Sequence, residues 1–118
     1  MIEGWITGDD VPQIELPIAG ASWMAVVDTG FNGYMELPQA LLEQLDAEYQ
    51  GEAFSLLAGG QSISEKVYLI DIQFDGDLRT AEVSFAASDT ILLGTKLLSH
   101  HQLVIDFPGK GVTLSKRR

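Results

Sequence analysis

Apolar and polar positions alternate along most of the chain. In "QIELPI", Ile14, Leu16 and Ile18 share one face, and Ala19-Gly20 then permits a turn into "SWMAVV", which predicts a β-hairpin. Tyr68, Ile70, Ile72 and Phe74 alternate with Leu69, Asp71 and Gln73. After the turn residues "DGD", Ala81, Val83 and Phe85 alternate with polar neighbours, predicting a second antiparallel pair. "QLVIDF" and "GVTLS" form a third, joined by "PGKG", where Pro108 and two glycines supply turn chemistry and where sheet edges are expected. Two segments leave the period of two. In "LPQALLEQL", Pro38 suits a first helical turn and Leu41, Leu42 and Leu45 recur at helical spacing; "TKLLSHH" after Gly94 is similar. Short strands with two short helices predict a mostly antiparallel β-barrel or sandwich.

Length and composition narrow the classes. A chain of 118 residues, 46% hydrophobic, is long enough for one packed core and too short for two, so a single domain over 1–118 is expected. No apolar run approaches the roughly 20 residues that span a bilayer, and "MIEGWITGDD" has no basic segment leading into an apolar one. No membrane partner and a cytoplasmic location are therefore expected. Zero cysteines exclude a disulfide framework, a thiolate metal site and a cysteine nucleophile. A formal charge of -10, with basic residues scattered apart from the closing "KRR", repels phosphate backbones, so nucleic acid is not an expected partner.

The chemistry concentrates in "AVVDTGFNGYMELP". Asp28 follows Ala25, Val26 and Val27, so a strand held by the core carries a carboxylate at its mouth. Taken alone, Asp28-Thr29-Gly30 also fits a β-turn in which the Asp side chain caps its own backbone and Gly30 takes a positive φ. The surroundings add weight: an apolar run before Asp28, "GYMELP" after it, and the separate run "ILLGTKLL" downstream.

With these features the sequence resembles the retropepsin-like aspartic proteases, single-domain relatives of pepsin whose subunits pair to build one active site. The resemblance covers nearly the whole chain and implies a closed acid-protease β-barrel with one or two short helices. It implies that Asp28 is the catalytic carboxylate, that Thr29 bonds across the dimer axis to its counterpart, and that Gly30 lets the backbone bend close by. Leu92, Leu93 and Gly94 match the family's second motif, which packs beneath the active loop. "LLAGGQSIS", with Gly59 and Gly60 at its tip, corresponds to the hairpin that covers substrate, although an ordinary hairpin has the same signature. Peptide hydrolysis without a metal needs one carboxylate to activate water and a second, protonated, to polarise the carbonyl. One Asp-Thr-Gly per chain supplies half of that pair, so the implied enzyme is a homodimeric aspartic endopeptidase needing no cofactor, with a peptide or protein as substrate.

One departure stands beside the active triplet. The family usually has Ala or Ser where this chain has Phe31, whose ring either packs back into the barrel or fills part of the cleft, with Asn32 and Gly33 completing the turn. Phe31 and Gly33 thus join Gly59 and Gly60 as candidate substrate-binding positions. A catalytically inactive barrel that binds proteins or peptides is the alternative. No metal site is expected. Adjacent His100 and His101 read as a solvated helix end, and Asp71, Asp75, Gly76 and Asp77 as a polar turn lacking calcium-loop spacing. Trp5 and Trp23 carry no assigned role. "MIEGWIT" and "VTLSKRR" are candidate interface strands, since the family often interleaves its chain ends.

Overall fold

The computed structural model describes residues 1–56 and 58–117. Leu57, within the expected covering hairpin, and Arg118 lie outside the described residues. Ten strands run in chain order: β1 (Ile2–Ile6), β2 (Pro12–Ile18), β3 (Ala21–Val27), β4 (Met35–Pro38), β5 (Glu48–Leu56), β6 (Ser62–Phe74), β7 (Asp77–Ala86), β8 (Ile91–Leu93), β9 (His101–Asp106) and β10 (Gly111–Lys116). They form one sheet in the order β5-β6-β7-β4-β8-β3-β2-β1-β10-β9.

The alternating segments become the hairpins that their periodicity predicts. β2 pairs antiparallel with β3, β6 with β7 and β9 with β10. The β2–β3 and β6–β7 loops are two residues long, and all four loop residues sit at positive φ: Ala19 at 53°, Gly20 at 80°, Asp75 at 49° and Gly76 at 85°. That is the backbone of a hairpin turn whose twist matches its strands. Alternation then sends Ile14, Leu16 and Ile18 of β2, with Ile70, Ile72 and Phe74 of β6, into one buried cluster with Val112 and Leu114 of β10.

The sheet is not a closed barrel. Closure would require β5 to bond β9, but each pairs on one side only and both remain sheet edges. A sheet of this width buries a core by curling over itself, within extents of 40 × 36 × 29 Å. Nor are both expected helices formed. Gln39–Leu41 is a single 3₁₀ turn directly after β4. Residues 95–100 form turns only. Their backbone is bonded elsewhere: Thr95 N–H donates to Phe31 O at 2.9 Å, Lys96 N–H to Gly33 O at 3.1 Å, and the Leu97 carbonyl accepts from Arg79. Too few residues remain before β9 to propagate a helix.

All but two pairings among the described residues are antiparallel. The exceptions, β3 with β8 and β4 with β7, flank residues 28–34. The terminal strands pair within their own chain, β1 lying between β2 and β10, and β10 between β1 and β9. They are therefore enclosed in the sheet, and the unpaired edges belong to β5 and β9.

Replacing Ile14, fully buried at 0% exposure, by Ala should cost about 2–5 kcal/mol in urea unfolding. The same truncation at Val104, 48% exposed on edge strand β9, should stay within about 0.5 kcal/mol.

Candidate active site

Parallel pairing of β3 and β8 brings two chain segments out of the sheet at one level, with Val27 opposite Leu93. The ladder continues one step beyond β3, because Asp28 N–H donates to Leu93 O at 3.0 Å. Asp28 is thus the first residue past a strand whose backbone is held on both sides, and its side chain is half-buried. Its Oδ1 accepts the Gly30 N–H at 3.0 Å, and its carbonyl accepts the Phe31 N–H at 3.1 Å. Gly30 is not in the left-handed region. A Cβ on Gly30 would instead stand 3.3 Å from Asp28 Oδ1, so glycine serves here to bring the backbone against the carboxylate. Thr29 is exposed beside it.

Phe31 folds back over two glycines. A Cβ on Gly33 would lie 2.6 Å from Phe31 Cε1, and one on Gly94 would lie 2.9 Å from Phe31 Cδ2 and 2.1 Å from Gly33 O. The ring occupies the space that those two side chains would need. Gly94 N–H donates to Tyr34 O at 2.9 Å, so residues 93–96 bond to both ends of the Asp28 loop and to its middle. Leu93 is buried, whereas Leu92 on the other face lies opposite Val26 of β3 and Glu36 of β4.

One cavity borders this loop and shares Glu65 and Ser84 with a second. In the first, about 160 Å³, Phe31, Gly33 and Tyr34 face Ala53 of β5 and Glu65 and Val67 of β6. In the other, about 320 Å³, Glu36 of β4 shares walls with Glu65, Lys66 and Tyr68 of β6 and Phe85 of β7. Tyr68 stands edge-on to Phe85, ring centroids 5.2 Å apart. The Glu36 carboxyl is raised above its ordinary 4.5 by burial, then by the negative charges of Glu65 and Asp28. The β5–β6 hairpin extends past these cavities to Gly59 and Gly60, at φ 97° and 84°, where an added Cβ would meet nothing. Phe54 and Leu56 on this part of the hairpin are 75% and 79% exposed.

Comparison with solved structures decides the fold. The chain superposes on the Simian Foamy Virus (mac) protease with a TM-score of 0.58 and 25% identity, covering 74% of this chain and 91% of that one. It superposes on a retropepsin-like aspartic protease from Rickettsia conorii with a TM-score of 0.63 and 21% identity, over 96% and 88% of the two chains. This is the retropepsin-like fold. A foamy viral protease-reverse transcriptase in complex with double-stranded DNA matches at 18% identity and a TM-score of 0.62; the match covers 80% of this chain but 16% of that longer one. No protein-family model matches the sequence, and no curated protein matches it significantly.

Within the retropepsin-like fold, Asp28, Thr29, Gly30, Phe31 and Gly33 form one loop, with Leu93 and Gly94 bonded against it. Gly59 and Gly60 stand apart at the hairpin tip. Glu36, Glu65, Tyr68 and Phe85 were not singled out by sequence reading. Alternation in "MELP" already turns Glu36 away from buried Met35 and Leu37, but its proximity to Asp28 follows only from β4 pairing with β8. Among the described residues no three His, Asp or Glu side chains group to hold a metal, and no helix is long and apolar enough to cross a membrane.

Gly94→Ala should destabilise the protein by about 1–3 kcal/mol and speed amide exchange across 28–33, as measured by denaturation and hydrogen exchange. Because the folded Glu36 carboxyl binds its proton more tightly than the unfolded one, stability should fall as pH rises from 4.5 through the raised value. Glu36→Gln should flatten that part of the stability–pH curve.

Proposed function

We propose that the chain is one subunit of a homodimeric aspartic endopeptidase, a single protease domain over 1–118 that hydrolyses peptide bonds between two Asp28 carboxylates. The observation that supports this best is the position of Asp28. It sits in a loop bonded to the Leu93-Gly94 segment, in a fold shared with proteases of Simian Foamy Virus and Rickettsia conorii.

A two-fold axis beside the exposed Thr29 would bring two Asp28 side chains together and let each Thr29 bond its counterpart's loop. Two carboxylates in one site share a proton, as is general for aspartic-protease dyads. The ionised member takes a proton from water, whose oxygen attacks the substrate carbonyl carbon. The protonated member hydrogen-bonds to the carbonyl oxygen and stabilises the tetrahedral intermediate. Collapse breaks the C–N bond as a proton passes to the leaving nitrogen, yielding a carboxylic acid and an amine. Each β5–β6 hairpin, with its glycine tip and exposed Phe54 and Leu56, folds over the bound peptide. Gly33 and the Phe31 ring form part of the floor. No cofactor enters this chemistry.

Phe31 favours a second reading, an inactive module of the same fold that binds peptides without cleaving them, because its ring already fills the space over Gly33 and Gly94 in the Asp28 loop. The readings separate on a fluorogenic peptide library assayed from acid to neutral pH. The protease should give a bell-shaped profile, lose activity on the order of 10³-fold or more in Asp28→Asn, and sediment at twice the chain mass. Absence of cleavage by a folded dimer, or undiminished cleavage by the variant, refutes it.

A further inference from the structure

The chain carries a formal charge of -10, yet three of its seven lysines and arginines and both histidines line a single cavity of about 290 Å³. Arg79 reaches it from β7, His100 from the preceding turn and His101 from the start of β9, and Lys116 from the end of β10 with Arg117 just beyond it; Phe74 and Asp77 complete the wall. It shares no residue with the cavity lined by Phe31 or with the one lined by Glu36.

These cationic groups are positioned. Arg79 donates to Leu97 O and Arg117 to Gln102 Oε1, while the Arg117 backbone N–H donates to His100 O at 2.8 Å. Lys116 Nζ holds Asp77 Oδ2 at 2.7 Å and Asp75 O at 3.0 Å. Each guanidinium has more N–H groups than these bonds use. The His101 side chain is 3% exposed. Its Nε2 lies 3.0 Å from Asp75 Oδ2, a carboxylate that the Met1 ammonium also contacts, and its ring stands edge-on to Phe74. Its Nδ1 is buried without a partner.

We propose that this cavity binds a phosphate group. Arg79, Lys116 and Arg117 outweigh Asp77 and leave the lining net positive. A phosphate brings close to two negative charges and several acceptor oxygens, and the two guanidinium forks match its geometry. The phosphate is either free in solution or an ester on a small molecule, and the same groups recognise both. This site does not depend on the protease reading.

The test titrates the full chain with inorganic phosphate and, separately, with glycerol 3-phosphate, followed by amide and imidazole NMR shifts against sodium chloride at matched ionic strength. The site requires saturable shifts at Arg79, His101, Lys116 and Arg117, with Kd of about 1 mM or tighter. Affinity should fall at least about 10-fold in Lys116→Gln/Arg117→Gln, two exposed positions whose change should leave the unfolding midpoint near wild type. Tighter binding of the free ion or of the ester then identifies the source. Shifts that do not saturate, that chloride reproduces, that appear equally at Lys66, Lys96 and Lys110, or that persist in a folded double variant overturn the proposal.

Discussion

Gly94 passes so close to the Asp28 loop that a single added carbon would stand 2.1 Å from Gly33 O. No side chain other than hydrogen fits there, and the rest of the site depends on that close approach. It lets Thr95 and Lys96 donate to Phe31 O and Gly33 O, and it leaves a slot that the Phe31 ring fills. Asp28 is consequently fixed from three directions: by β2 through β3, by Leu93 through the parallel ladder, and by the loop's bonds to residues 94–96. A carboxylate held in this way has little conformational freedom left to lose, as the proposed general acid–base role requires.

Charge is distributed as unevenly as packing. Asp28, Glu36 and Glu65 gather near the loop, and burial, followed by the negative charges of Glu65 and Asp28, raises the Glu36 carboxyl. Basic groups concentrate elsewhere, around the ends of β6 and β10 and the start of β9. The turn at residues 95–100 joins the two regions: one end bonds the Asp28 loop, and the other carries His100 and the carbonyl that Arg79 holds.

The hairpins were legible in sequence because a period-2 pattern and a two-residue turn are local properties. The Gly in "DGD" and "AG" permits the positive φ that these turns need, and the strands on either side supply alternating faces. Helical spacing in "LPQALLEQL" and "TKLLSHH" was equally local and misled. Leu41, Leu97 and Leu98 are buried as such a pattern requires, but around Leu41 the local bonds close only a short 3₁₀ turn, and residues 95–97 are bonded instead to Phe31, Gly33 and Arg79, so a run of turns results. Barrel closure is a relation between β5 and β9, and neither strand's sequence encodes whether they meet.

At the site, the sequence determined the residue types and their order: an apolar strand ending in Asp28, a glycine where the backbone must approach the carboxylate, and a second apolar run ending in Gly94. Tertiary structure decided their neighbours. Whether Phe31 lay inward or across the cleft depended on the space above Gly33 and Gly94, two segments sixty residues apart in the chain. Glu36 came near Asp28 only through the β4–β8 pairing, and the scattered Arg79, His101 and Lys116 converged only when β7, β9 and β10 curled around Phe74. Periodicity reports which face of a strand is buried; proximity between distant strands is set by how the sheet folds over its core.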